Sequence, residues 1–204
     1  MKKFELTTEF ITNAFGKKIF RIKALIEFGN VKAGELGGFV EKEENLSHDG
    51  NAWVRENAVV CENAVVCENA VVRGNAEVRG NAWVRENAVV RGNAEVRGNA
   101  WVRGNAVVCE NAVVCENAVV CGNAVVRGNA DYACIKGFGT EFRHTTFYKT
   151  KEDGIGVKCG CFNGSLEQFR EQVKETRNGK IAKEYLMIAD LMEYHFASEG
   201  SDDE

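Results

Sequence analysis

The sequence predicts an all-β solenoid: a triangular parallel β-helix with three hexads per coil, a β cap before it and a small α+β module after it. Three observations carry this. From Asn51 to Gly128 the chain is thirteen consecutive hexads of the form Asn-Ala-x-Val-(Arg/Cys)-(Gly/Glu), 78 residues divided by six, and Asn129-Ala130 open a fourteenth. Residues 74–91 (GNAEVRGNAWVRENAVVR) recur 18 positions later with two differences, Gly104 in place of Glu86 and Cys109 in place of Arg91. Outside the array the period vanishes on both sides, so the repeat has distinct flanks.

Self-similarity at a short fixed period marks a stacked-repeat architecture. Period six cannot follow the turn of an α-helix, whereas Ala-x-Val-(Arg/Cys) alternates small, variable, aliphatic and polar with period two, the pattern of a short strand. The remaining pair, (Gly/Glu)-Asn, is the corner. Asn is the residue expected to take the left-handed conformation there, because it tolerates that region and can bond nearby backbone. The 18-residue period gives three sides per coil. Thirteen hexads make 78/18 or about 4.3 turns, and stacking at ~4.8 Å gives a prism about 20 Å long. Val54 to Val126 and Ala52 to Ala130 are the expected interior, with Asn51 to Asn129 as a corner ladder of the kind that stabilises stacked strands.

An open solenoid exposes strand edges that need covering. Residues 1–50 are read as the N-terminal β cap, with Phe4-Glu5-Leu6, a strand at residues 18–25 and the glycine-rich turn at residues 34–40. Residues 51–130 are the solenoid. In residues 131–197, Thr145–Lys149 and Ile155–Cys159 flank a Glu152-Asp153-Gly154 turn and read as a hairpin. Ser165-Leu166-Glu167-Gln168 is a capping box opening a helix whose Leu166, Phe169 and Val173 share a face. A second amphipathic helix follows from about Lys180 to Phe196, with Ile181, Tyr185, Ile188, Met192 and Phe196 on one side. Residues 198–204 are acidic and expected to be disordered.

Val54-Arg55-Glu56-Asn57-Ala58-Val59, an aliphatic residue followed by small or acidic ones with a small residue in the fifth place, resembles the hexapeptide-repeat, left-handed β-helix family. The left hand comes from that resemblance alone, since parallel crossovers are ordinarily right-handed. Phe28 to Gly34, Gly37-Gly38-Phe39-Val40 and Leu46-Ser47 resemble the lead-in segment of bacterial and prophage hexapeptide proteins classed as transferases. The C-terminal module, a ββαα unit with its Gly160-Cys161-Phe162-Asn163-Gly164 step, resembles a small domain that follows repeat arrays in phage and prophage proteins. The resemblance implies a phage or prophage protein of a bacterial host, and a cytoplasmic location is expected from the lack of a membrane span or secretory signal in the sequence.

Charge excludes two partner classes. The 26 Lys and Arg against 30 Asp and Glu give a net charge of −4. Residues 1–50 balance at eight against eight, residues 51–130 hold eight Arg and eight Glu, and the excess acid lies in residues 131–204, with ten basic and fourteen acidic residues. Sequence-independent binding to extended nucleic acid wants a basic stripe and a DNA mimic wants an acidic one. Columns of Arg still suffice to grip a small phosphorylated ligand. No apolar run approaches the roughly 18 residues of a membrane span, and the N-terminus lacks the apolar stretch of a secretory signal, so no membrane association is expected. Eight cysteines without a sign of secretion are expected as reduced thiols. Cys61 and Cys115, like Cys67 and Cys121, share a face but lie three coils or about 14 Å apart, too far for a disulfide. The five array cysteines, Cys109 among them, are expected as semi-polar occupants of the surface.

The family resemblance implies two chemistries to test. Its acyltransferases use a histidine as general base near a corner, and its carbonic anhydrases hold zinc with three histidines. The array contains no His, Lys, Asp, Ser, Thr or Tyr, and His48, His144 and His195 all lie outside it. Cys159-Gly160-Cys161 is expected to place two thiols on one strand face, half of a tetrahedral site that Cys134 or His144 would have to extend; buried structural cysteines are the simpler reading. No catalytic residue, metal or cofactor is therefore expected.

The outward positions are more informative. One face carries Trp53, Val71, Val89, Val107 and Val125 beside Arg55, Arg73, Arg91, Cys109 and Arg127. A second carries Val59, Glu77, Glu95 and Val113 beside Cys61, Arg79, Arg97 and Cys115, a salt-bridged, solvated wall. The third carries Val65, Trp83, Trp101 and Val119 beside Cys67, Arg85, Arg103 and Cys121. Two faces thus present flat apolar ladders, which monomeric proteins rarely leave exposed, and Trp and Arg are enriched at binding hot spots. Trp83, Trp101, Arg85 and Arg103 are the expected binding centre, with Trp53, Val71, Val89 and Val107 on a second interface. Hexads this uniform also point to expansion by duplication, which an extended binding surface tolerates better than an active site does. The expectation is a non-catalytic scaffold that forms a homo-oligomer and sequesters a host protein or a small nucleotide signal. An oligomeric hexapeptide acyltransferase using His48 or His144, and a structural spacer or virion component, are the alternatives.

Overall fold

A computed structural model describes residues 1–197. The acidic segment 198–204, expected to be disordered, lies outside the described residues. The chain divides into two compact units, Met1–Asn129 and a second that begins at Ala130.

In the first unit β1 (Phe4–Thr12) and β2 (Lys18–Ala24) form an antiparallel hairpin, and β2 pairs antiparallel with β3 (Leu36–Val40). On its other edge β3 turns parallel, Phe39 opposite Val59 and Val40 opposite Val60, and so carries the cap into the solenoid. Thirteen two-residue strands follow, β4 (Trp53–Val54) to β16 (Val125–Val126), stacked in three parallel sheets with partners 18 residues apart. The coil is thus a β-solenoid, the architecture expected of a hexapeptide repeat. Its strands are shorter than the four residues of the sequence pattern, but backbone bonding continues past them. Trp83 N–H donates to Ala100 O (2.9 Å), Arg85 N–H to Val102 O (3.0 Å) and Asn87 N–H to Gly104 O (2.9 Å). Every Ala and inward Val of the array, from Ala52 to Val126, is fully buried.

The corners reverse one expectation. The left-handed conformation falls on the Gly/Glu position, not on Asn: six glutamates have φ between 57° and 62°. Asn is spared because its side chain serves the ladder, each Nδ2 donating to the Oδ1 18 residues on, at 3.0–3.4 Å from Asn51 to Asn123. A left-handed non-glycine residue is strained. Glu56 and Glu62 offset that strain by accepting the backbone N–H of Gly74 (2.7 Å) and Gly80 (2.8 Å) one coil on.

The solenoid also begins earlier than the repeat. Val40, Leu46 (bridged in parallel to Val66) and Val54 form a first, irregular coil, giving about five turns. Its missing corner is supplied by the fully buried Asn45. That side chain donates from Nδ2 to Glu62 O (3.1 Å) and Ala64 O (2.8 Å) and accepts from Lys42 N–H (2.9 Å).

The second unit is an antiparallel four-stranded sheet, β17 (Tyr132–Phe138), β18 (Arg143–Lys149), β19 (Ile155–Cys159) and β20 (Phe162–Ser165), followed by α1 (Leu166–Thr176) and α2 (Gly179–Phe196). The expected hairpin is its centre, with Thr145 opposite Cys159 and Lys149 opposite Ile155. The two outer strands were not read from the sequence, which makes the module ββββαα where ββαα was expected. Gly137 and the register shift between Ile135 and Phe138 break the alternation of β17, and the supposed step at Gly160–Gly164 is a two-residue turn plus β20, since Cys159 pairs with Phe162. The capping box holds: Gln168 N–H donates to Ser165 Oγ (3.2 Å) and Ser165 N–H to Gln168 Oε1 (2.9 Å). Leu166, Phe169 and Val173 meet Phe147 and Val157 of the sheet and Tyr185, Ile188 and Met192 of α2 in one core.

Candidate functional site

The third face of the solenoid brings the expected binding centre together. Trp83 and Trp101 pair across adjacent coils, and their rings stack with centroids 5.6 Å apart and planes 15° from parallel. The Arg85 guanidinium lies 4.9 Å from the Trp101 ring centroid, a cation–π contact. Glu86, at a corner, sits 3.8 Å from Arg85 Nε and 3.7 Å from Arg103 Nη1. Two guanidiniums therefore share one carboxylate, leaving net positive charge beside the indoles. Trp83 is 37 % exposed, Trp101 is half-buried beside it, and half-buried Val65 and Val119 continue the column.

The first face is less available than expected. Trp53 is 1 % exposed, because the cap folds over it: its ring meets Phe28 edge-on at 5.4 Å and Phe4 at 6.3 Å, and the absence of a side chain at Gly37 lets its Cζ2 approach. Trp53 is a core residue, and Val125 is buried as well. Val71, Val89 and Val107 remain as a half-buried strip. The second face is the ion-paired wall expected, with Glu77 to Arg79 at 3.1 Å, Arg79 to Glu95, and Glu95 to Arg97 at 3.2 Å.

The cysteines are more enclosed than surface occupants would be. Cys61, Cys109 and Cys121 are buried and Cys67 and Cys115 half-buried, Cys61 because Ile19 and Phe39 of the cap pack against it. Burial, reinforced by Glu77, Glu62 and Glu41, pushes the Cys61 thiol up to about 12, and burial also raises Cys67. Both are held as thiols, the less nucleophilic form.

The histidines do not converge. His48 stacks on Phe4 at 4.4 Å, accepts the Lys3 N–H at Nδ1 (3.1 Å) and lies 3.5 Å from Glu43 through Nε2. It pins the first strand of the cap. His144 Nδ1 is 3.6 Å from Cys134 Sγ, and His195 packs on Phe196. The expected pairing of Cys159 with Cys161 on one strand face fails, because Cys161 is exposed in the β19–β20 turn. Cys159 accepts from Thr145 Oγ1 (3.1 Å), whereas Cys134 is opposite Thr146, the next residue along β18 and hence on the other face. Among the described residues no group of three or more His, Cys, Asp or Glu is placed to hold a metal ion, and no helix is long and apolar enough to cross a membrane.

Sequence reasoning missed one feature. The second unit contains a cleft of about 430 Å³ between the sheet and the C-terminal part of α1, lined among others by Arg143, Arg177, Phe162 and Tyr185. Its residues are scattered over 45 positions, and only the glycines at 139 and 160 hint at close packing there. No protein-family profile matches the chain, and a comparison with curated proteins finds no significant relative.

Proposed function

We propose that this chain is a non-catalytic binding scaffold that self-associates through the third face of its solenoid. The observation that carries the reading is the stacked Trp83–Trp101 pair with Arg85 against it, an aromatic column, exposed at Trp83 and half-buried at Trp101, on an otherwise valine-lined wall. Rigid aromatic and Arg side chains give large contact area at low entropic cost, which is why they dominate interface energetics. Flat, repetitive walls of this kind match a second copy of themselves, since a two-fold axis sets one column against its own image. The resemblance to phage and prophage hexapeptide proteins adds the role: an accessory protein in a bacterial host that holds a host protein or a small phosphorylated signal. His48, engaged through its ring face and both nitrogens, offers little to the alternative of an acyltransferase.

The test is sedimentation velocity and native mass spectrometry of the full chain and of the Trp83→Ser/Trp101→Ser variant. A defined oligomer that dissociates in the variant, with the circular dichroism and melting of the parent retained, supports the reading. A monomeric parent, or a variant that assembles equally well, refutes self-association through this face.

A further inference from the structure

We propose that the cleft of the C-terminal unit is a binding site for a small organic anion, a phosphate or carboxylate carried on a planar ring. This site is independent of the solenoid wall. At about 430 Å³ the cleft has the size of small-molecule sites. It also has their composition, an aromatic floor of Phe162, Phe169 and Tyr185 below a polar rim.

The rim is cationic in a unit whose described residues are balanced in charge. Residues 131–197 carry ten basic and ten acidic side chains, yet the cleft is lined by two arginines and one carboxylate, Glu141. Glu141 meets Arg143 only at 3.5 Å, and both are largely exposed, so the pair is loose. The Arg177 guanidinium makes one long hydrogen bond, to the Thr176 carbonyl (3.3 Å), and no ion pair among the described residues. Arg170, a few residues earlier, shows what satisfied pairing looks like here: it meets Asp190 at 2.8 Å and Glu193 at 2.6 Å. The cleft arginines are left with charge and donors to spare.

Two glycines shape the backbone around this charge. A Cβ at Gly160 would lie 2.8 Å from Arg143 Nη1, so a bare turn is what lets the guanidinium lie against it. A Cβ at Gly139 would lie 2.3 Å from the Tyr185 hydroxyl, which donates to Phe138 O at 3.3 Å. Tyr185 is thereby fixed with its ring in the floor. Burial, and after it the neighbouring Cys159 thiol, raises the Tyr185 hydroxyl, while Arg177 and Arg143 act on it in the opposite sense. Both cations are therefore within electrostatic reach of the floor. Phe169 and Tyr185 stand edge-on to each other and are almost wholly buried, so the half-buried Phe162 is the ring a planar ligand lies against; from there its anionic group reaches the guanidiniums, which recognise oxyanions through paired N–H donors.

The probes are phenyl phosphate, benzoate and neutral phenol, titrated calorimetrically into the full chain at low salt. Binding of either anion, with phenol much weaker, supports the site, and the preferred anion identifies the head group. Arg143→Gln and Arg177→Gln, both at exposed positions, should each weaken the anion about tenfold with melting unchanged. The proposal is overturned if neither anion binds at about 10 mM, if phenol binds as well as the anions, or if the double variant retains the parent affinity.

Discussion

Asn45→Leu should cost the first unit about 4 kcal/mol, far more than the same change on the corner ladder. Asn45 is fully buried and its side chain stands in for a strand corner, closing Glu62 O and Ala64 O and holding Lys42 N–H. Leucine fills the volume but supplies none of these bonds. The Ala64 carbonyl bond is buried, so its loss carries the full desolvation penalty of about 1–3 kcal/mol. The other two bonds are partly open to solvent and are worth about 0.5–1.5 kcal/mol each. The sum runs from about 2 to 6 and centres on about 4 kcal/mol, a fall in melting temperature of about 15 °C for a unit of this size. Asn45→Asp keeps an acceptor for Lys42 but turns both carbonyl contacts repulsive, and should be worse at neutral pH. The control is Asn75→Leu, in the exposed ladder between Asn57 and Asn93, where water replaces the lost partners and the cost stays below about 1 kcal/mol. Chemical unfolding followed by circular dichroism measures all three. If Asn45→Leu costs no more than Asn75→Leu, the side chain is not acting as a corner.

Burial pushes the Lys3 ammonium down to about 8 from 10.5, Asp49 only partly restoring it, so the fold carries the buried charge below pH 8 and gains stability as pH climbs through 8 to 10.5. Lys3→Met should abolish that rise in urea unfolding measured at pH 7.5 and pH 10, and an equal slope in both proteins would rule out Lys3 as its source. Trp53→Ala should lower stability by about 3–5 kcal/mol because it empties the space under the cap, whereas Trp83→Ala should change stability little and association strongly. Inserting a further copy of residues 74–91 after Arg91 should lengthen the solenoid by one coil, about 4.8 Å, and stack three tryptophans on the third face. A larger denaturant m-value together with tighter association is the expected result, and loss of the cooperative transition would show that coils are not interchangeable.

The array was legible because its two periods admit few other structures. The 18-residue register, the Asn ladder, the ion-paired Glu77–Arg97 wall and the Trp83–Trp101 stack all follow from residue spacing alone. What escaped depended on contacts between unlike segments. Trp53 occupies the same hexad position as Trp83, and only the fold of Phe4 and Phe28 across it makes one buried and the other exposed. Asn45 lies outside the repeat, so its role as a corner has no periodic signature. The misplaced left-handed residue is a local error with a tertiary cause: Asn alone would suit that conformation, but the ladder 18 residues away requires its side chain. In the second unit the capping box and both helix faces were readable. The cleft was not, because Arg143, Arg177 and Tyr185 come from three separate elements.

Duplication and function pull this molecule in different directions. Copying an 18-residue unit sets like on like, tryptophan over tryptophan and glutamate over glutamate, which generates stacked columns without selection for any single contact. An aromatic column is stabilised by such copying, since Trp83 and Trp101 attract. A glutamate column survives because Arg79 reaches from Glu77 to Glu95 and cancels the repulsion between coils. The corner glutamates follow the same logic, each strained backbone position being tolerable where its carboxylate closes a neighbouring N–H, as Glu56 and Glu62 do. Extended surface of stacked like residues is therefore what the repeat supplies cheaply. A concavity with unlike groups facing one another is what it cannot supply, and in this chain the cleft is built from residues outside the repeat.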